Sequence, residues 1–236
     1  AGLWGGYGEY MAVLPGTHLA PLTDGVSAEE LTLFEPLSNM VSWLGRAGFQ
    51  AGQSIVIQGP GHMGLTCAAY ARSLGAGTVI VTGTADDAER LAVATEVGAD
   101  VTVDVTVDDP VAAVMDLTGG FGASLAVDLA SAPITPGLCF DMVHHRGTVI
   151  WAGLKDRQAV SVVSDTVVMK GLTVMGGAGG DAASVDEAAR ILNGGGFPTG
   201  PLLGAVLGLD EVDRAMALLH RDSDEDVVRA VLKHTH

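Results

Sequence analysis

The sequence predicts an α/β fold built on a doubly wound parallel sheet, and three observations carry that prediction. Between residues 53 and 176, apolar runs of about five residues alternate with helical stretches of about ten or more. The runs are rich in Val and Ile with few polar interruptions, as in strands buried on both faces. A glycine-rich turn, Gly59-Pro60-Gly61-His62-Met63-Gly64, joins the first run to the first helix.

Taken in order, residues 2–22 are rich in Gly and Pro and read as loop and short strand. Ser27-Ala28-Glu29-Glu30 is a capping box, so a helix starts there; Pro36 breaks or restarts it before it runs on towards Gly45 or Gly48. Residues 54–58 form the first strand, 62–74 a helix stopped by Gly75 and Gly77, and 78–82 the second strand. A helix over 86–97 closes at Gly98, and Val101 and Val103 mark the third strand. Asp109-Pro110 opens the next helix, with aspartate as cap and proline in the first turn. Residues 124–128, 148–151 and 172–175 supply three further strands, and Cys139 falls in a helix between the first two. His144-His145-Arg146 reads as a polar turn before the fifth strand. After Gly176 the rhythm changes to helices over 184–193 and 210–219, a glycine loop at 194–198 and a terminal strand over 227–232.

Composition narrows the function classes. The 236 residues are 48% hydrophobic, enough for a large buried core and against disorder. That length accommodates one domain or one and a half at roughly 100–200 residues each. A net charge of −16 opposes binding to nucleic acid or to anionic membrane surfaces. No apolar run reaches the roughly 18 residues of a membrane span. Two cysteines, Cys67 and Cys139, can make neither a disulfide framework nor a four-thiolate zinc site, and a reducing, cytoplasmic setting is expected. The chain starts at Ala1, so an upstream segment is expected.

The glycine turn predicts a dinucleotide site because of where it stands: strand before it, helix and second strand after it. Gly59 permits the tight turn, Gly61 lets a pyrophosphate approach the backbone, and Gly64 lets the helix lie close on the sheet. His62 and Met63 contribute backbone amides at the helix start, where the dipole attracts anions. The second strand ends in Thr82-Gly83-Thr84. Gly83 stands where NAD sites carry an acid for the ribose, leaving room that a 2′-phosphate could use. Arg90 is the nearest basic residue, whereas Asp86 and Asp87 would repel a phosphate, so NAD and NADP both remain open.

Several stretches resemble the medium-chain dehydrogenase/reductase family, in its zinc-dependent alcohol, sorbitol and threonine dehydrogenase group. They are Gly5-Gly6-Tyr7-Gly8-Glu9-Tyr10, Glu35-Pro36-Leu37, residues 54–64, Arg90-Leu91 with Val97-Gly98-Ala99-Asp100, Leu117-Thr118-Gly119-Gly120, Gly147-Thr148-Val149 and Asp210-Glu211-Val212. They follow the family's order over essentially the whole chain. The resemblance implies a GroES-like catalytic domain wrapped around a Rossmann domain: 1–35 as catalytic remnant, 36–176 as NAD(P)-binding domain and 177–236 as the return to the catalytic domain. It implies hydride transfer between a small-molecule alcohol or polyol (or the carbonyl product) and NAD(P), with zinc as Lewis acid. The family's first zinc ligands, Cys and His, correspond to sequence before Ala1. Glu35 matches an acidic residue facing the zinc; its bland reading is an acid serving backbone amides at a broken helix. Ala152 and Gly153 match backbone along the nicotinamide, Ala130 and Ser131 the rim of the cleft, and Arg229 a residue reaching the pyrophosphate. Arg229 reads equally as a solvated arginine beside Asp224, Glu225 and Asp226. Asp128 is either a strand-end residue near adenosine or a buried cap. The resemblance also implies a homodimer or homotetramer, joined near residues 171–175. The runner-up readings are a zinc-free quinone or enoyl reductase on the same fold and a non-catalytic dinucleotide-binding module. A short-chain dehydrogenase is disfavoured, since none of Tyr7, Tyr10 and Tyr70 has lysine four residues on.

Overall fold

Strands sandwiched between two helical layers must be apolar on both faces, and the central strands here are. The computed structural model describes residues 6–8, 10–23, 25–222 and 225–234. Gly5 and Glu9 of the first family stretch, together with Asp224 and His236, lie outside these residues. Six strands form one sheet: β1 (Ser54–Gln58), β2 (Thr78–Gly83), β3 (Val101–Asp104), β4 (Ala123–Asp128), β5 (Val143–Trp151) and β6 (Thr173–Gly176). Their order is β3-β2-β1-β4-β5-β6 and every pairing is parallel. The order reverses between β1 and β4, the point at which such sheets open a crevice for ligands.

Nine helices among the described residues cover the sheet and its flank: α1 (Ala28–Leu31), α2 (Phe34–Arg46), α3 (His62–Ser73), α4 (Ala88–Val97), α5 (Pro110–Leu117), α6 (Thr135–Met142), α7 (Ser164–Lys170), α8 (Ala182–Asn193) and α9 (Val212–His220). On one face Ile55, Ile57, Val79, Val81, Leu125 and Val127 pack with residues of α2, α3, α4 and α8. On the other face Val56, Ile80, Ala126 and Val149 meet Val114 of α5 and Phe140 of α6. Full burial of each such Val, Ile, Leu or Phe contributes about 1.5–3 kcal/mol. The expected caps are in place. Ser27 and Glu30 cap α1 reciprocally, and Asp109 accepts from Val111 N at 2.8 Å at the start of α5.

Three local expectations are corrected. His144-His145-Arg146 is not a turn before a strand but the first half of β5. The pairing with β4 jumps from Ala123↔Val143 to Leu125↔Thr148, and Arg146 takes φ 64 at this bulge. α7 was not foreseen, because its Val-rich sequence is a weak helix former. The Lys170 ammonium at its end donates to the carbonyls of Phe140, Asp141 and Val143 and ties it to α6. The strand β7 (Ala205–Gly208) was also missed; it pairs in parallel with β8 (Ala230–Lys233), the terminal strand, which begins later than expected.

Residues beyond Gly176 divide physically in two. Ala188 and Leu192 of α8, with Phe197 and Leu202, lie in the same core as the central sheet. β7, α9 and β8 close a small core of their own around Leu207, Ala215 and Leu218. Leu192 is 1% exposed, so Leu192→Ala is expected to cost about 2–5 kcal/mol. Because that core is shared with the sheet, urea denaturation should show the loss as a lower midpoint of the sheet's own transition; a separate early transition of α8, apart from the sheet, would contradict the shared core.

Candidate nucleotide-binding site

The carboxyl ends of β1 and β4 meet at the glycine turn, and each glycine answers a different constraint. Gly59 has φ +98, and a Cβ there would come within 3.0 Å of Ala130 N. A Cβ on Gly64 would fall 2.0 Å from Gly59 O, inside the turn itself. A Cβ on Gly61 would meet no protein atom within 4 Å, so the backbone there borders open space. The helix that follows, α3, has no side-chain cap and no acidic residue in its first turn. Ser27, Asp109 and Asp181 cap α1, α5 and α8 with side chains, whereas α2, α4, α6, α7 and α9 lack a side-chain cap as α3 does. The first amides of α3 at His62, Met63 and Gly64 are therefore orphan donors with a positive dipole behind them.

A guanidinium joins them from the far end of the chain. Arg229 Nη2 donates to Thr32 O at 2.7 Å, while Nη1, like Trp151 Nε1 and Asp226 Oδ2, is buried without a partner among the described residues. A buried donor without an acceptor costs about 1–3 kcal/mol, more when charged, and calls for a missing partner. Arg229 lies close enough to His62 and Glu35 to act on the first and be acted on by the second. Burial pushes the His62 pKa down, Arg229 and Arg90 push it further, and Glu35 opposes them. Arg229 is half-buried, not solvated, and Asp226 is engaged by Arg90 and Arg221.

On the β2 side a cavity of about 140 Å³ is lined by Gln58, Gly59, Thr82, Gly83, Thr84 and Ala130, among others. The expected room beside Gly83 is filled: a Cβ there would meet Pro60 Cγ at 2.9 Å and both Asp87 Cβ and Leu91 Cδ2 at 3.1 Å. Thr84 N and Oγ1 donate to Asp87 Oδ2 at 2.8 and 2.9 Å. Arg221, one residue past α9 and at φ 60, donates to the other Asp87 oxygen. Burial alone would raise the Asp87 pKa, but the Thr84 amide and the Arg221 guanidinium outweigh it and hold the carboxyl below its usual range. Arg90 does not face this corner; it donates to Asp226 Oδ1 at 2.9 Å and to Val227 O at 2.8 Å. Arg221 was missed because 134 residues of chain and no periodic signal separate it from Asp87.

Across the crevice, Ala152 N and Gly153 N both donate to Asp128 O, at 3.0 and 2.8 Å. The Asp128 side chain takes the capping role at the strand end. Its Oδ1 accepts from Ala130 N at 3.3 Å and the Thr135 hydroxyl at 2.8 Å, and its Oδ2 pairs with Lys155 Nζ at 2.9 Å. Lys155 was also missed. The loop after β5 bounds an open cavity of about 670 Å³ lined by residues 153–158. Ser131 is exposed beside Ala130 at the rim.

A zinc ion finds no donor set here. Glu35 is exposed in the first turn of α2, where its Oε1 accepts from Asn39 Nδ2 at 2.7 Å. Among the described residues no group of three or more His, Cys, Asp or Glu could hold a metal. Structural and catalytic zinc sites use three or four protein ligands, so the side chains described do not fit one. Cys67 and Cys139 are free and buried, and burial pushes the Cys67 thiol up to about 12, far from thiolate. His144 and His145 do not converge, His144 Nδ1 instead meeting the His145 carbonyl at 2.7 Å.

Strand order and glycine turn together define a Rossmann-type α/β protein. The family of zinc-binding dehydrogenases matches over residues 63–194, and the chain belongs to that family. It is 37% identical over 228 residues to a probable alcohol dehydrogenase of Mycobacterium tuberculosis, covering 94% of this chain and 62% of that relative. To a sorbitol dehydrogenase of Halalkalibacterium halodurans it is 30% identical over 172 residues, 73% of this chain and 50% of the other. The solved alcohol dehydrogenase TADH of Thermus sp. ATN1 superposes with a TM-score of 0.82 at 23% identity, over 90% of this chain and 62% of that one, a likeness of fold. The chain thus spans about 62% of the length of the Mycobacterium relative.

Two outcomes follow from the local geometry. Gly64→Ala forces the turn apart and is expected to lower the melting temperature clearly, whereas Gly61→Ala, with free space around it, should melt within about a degree or two of wild type. Equal melting temperatures for the two variants would contradict the crowding at Gly64. For His62, a folded pKa below the ordinary value of about 6.5 means that the unfolded chain takes up the proton first. Stability is therefore lost as pH falls through about 6.5. Chemical denaturation at pH 7.5 and 5.5 should show His62→Gln losing less stability across that interval than wild type does.

Proposed function

We propose that this chain binds NAD or NADP and forms the cofactor-holding part of an oxidoreductase that moves a hydride between an alcohol or polyol and the nicotinamide. The observation that carries the reading is the uncapped start of α3 beside the buried, unpartnered Nη1 of Arg229. Orphan amides and a desolvated guanidinium at a parallel-sheet switch point suit a pyrophosphate. Gly61, His62, Met63 and Gly64 would line the diphosphate. Gly83 and Thr84 would border the adenosine ribose, and Ala130, Ala152 and Gly153 the nicotinamide side. Names of relatives at 30–37% identity support the alcohol and polyol substrate class. In the complete reaction an alcohol loses hydride to the cofactor and a proton to a base, giving a carbonyl. Zinc would serve as Lewis acid in that reaction, with Glu35 as a ligand candidate among the described residues, which do not by themselves form its site. A reducing cytoplasmic setting accords with two buried free thiols. Exposed Val168, Met169 and Val174 beside the open edge of β6 suit a homodimer joined there.

Titration with NADH and NADPH by fluorescence tests the reading. Saturable binding is expected for at least one of them, weakened about 10–100-fold by Arg229→Gln, the magnitude of one charge-assisted hydrogen bond. Gly61→Val should abolish it in a chain that still folds, as a thermal melt would show. Failure of both dinucleotides to bind the folded wild-type chain would refute the reading.

A further inference from the structure

A buried charge pair at the other wall of the crevice has no part in the reading so far. The Asp128 side chain is 1% exposed and that of Lys155 9% exposed. Desolvating two charges costs enough that an apolar pair would commonly serve stability as well, so stability is a weak account of this pair. Its contacts offer a better one. Lys155 Nζ donates both to Asp128 Oδ2 and to Ala130 O, while Asp128 Oδ1 accepts from Ala130 N. Both backbone polar groups of Ala130 are held by the two charges. Ala130 is also where three segments press together. A Cβ on Gly59 would lie 3.0 Å from its nitrogen, and one on Gly153 2.1 Å from its oxygen. The loop that carries Lys155 continues through Asp156 and Arg157 at φ 49 and 60, left-handed conformations that non-glycine residues hold only when the surroundings fix them.

We propose that Lys155 is a positioning residue: clasped to Asp128, it sets the Ala130–Gly153 wall against which the nicotinamide half of the dinucleotide lies. The inference rests on the dinucleotide reading above. The diphosphate donors, the α3 amides and Arg229, lie outside the clasp's hydrogen bonds. Loosening the clasp should therefore weaken ligands that carry the nicotinamide more than those that lack it.

The test compares NADH (or NADPH, whichever the wild-type chain binds) with ADP-ribose (or its 2′-phosphate), by direct and competition titration. The variants are Lys155→Met, Lys155→Arg and the double variant Asp128→Asn/Lys155→Met, which leaves no lone buried charge should the single one fail to fold. Thermal melts select the folded variants. The expected result is a loss of 10-fold or more for the reduced dinucleotide and 3-fold or less for its nicotinamide-free counterpart, in Lys155→Met or the double variant. Lys155→Arg should recover most of the affinity. Equal losses for both ligands, or no loss in a folded variant, would overturn the positioning role. If neither dinucleotide bound the wild-type chain, the parent reading would fall with it, and that would be evident before any variant was made.

Discussion

Everything at this site depends on one close approach of backbone to backbone. Gly59 turns out of β1 at φ +98 with Ala130 pressed so near that no side chain fits between them. That contact lets α3 start at the mouth of the sheet, not beyond it. Gly64 extends the constraint by folding the helix start back over the carbonyl of Gly59. The helix thus begins where the strand order reverses, and its free amides stand at the crevice. A methyl group at either position would move the start of α3 and, with it, the orphan donors that give the crevice its chemistry.

Electrostatics then decides what such a crevice can hold. With a net charge of −16 the protein as a whole repels anions, and at physiological salt that repulsion is screened beyond about 8 Å. Binding an anion must come from donors in contact with it. The α3 amides and Arg229 are of this kind, whereas the other cations nearby are already matched: Arg90 by Asp226 and Arg221 by Asp87. Partial burial raises the worth of Arg229 for an anion in the same measure as it makes a lone guanidinium costly.

Local sequence made the sheet legible, because its strands are short apolar runs and its turns are marked by glycine and proline. β1 falls on the expected residues 54–58, and the caps at Ser27 and Asp109 are read directly from residue type and spacing. What escaped was set by tertiary contacts. α7 is held by one lysine reaching three carbonyls, and the bulge in β5 hides inside a polar triplet that resembles a turn. At the site the glycine turn was legible, and the charged residues around it were less so. Arg90 lies near the right strand in sequence yet turns to Asp226, while Arg221 and Lys155 arrive from segments that carry no motif. Gly83 shows the limit from the other side. Its missing side chain suggested space, but Pro60 of the glycine turn occupies it.

The distribution of these residues along the chain has a consequence for how the crevice is built. Its amides come from residue 62 onward, but the guanidinium with a free Nη1 is at residue 229 and the cation on Asp87 at residue 221. α8 already belongs to the main core, and the small β7–α9–β8 unit is tied to the start of α4 by Arg90 with Asp226 and by Arg221 with Asp87. Those ion pairs hold the segment carrying Arg229 against α1 and the glycine turn. They are partly buried and bonded on both sides, which is where ion pairs fix geometry more than they add stability. The proposed anion site would therefore not be a property of the glycine motif alone: the motif offers amides, and the last thirty or so residues of the chain would supply the charge and hold it in place.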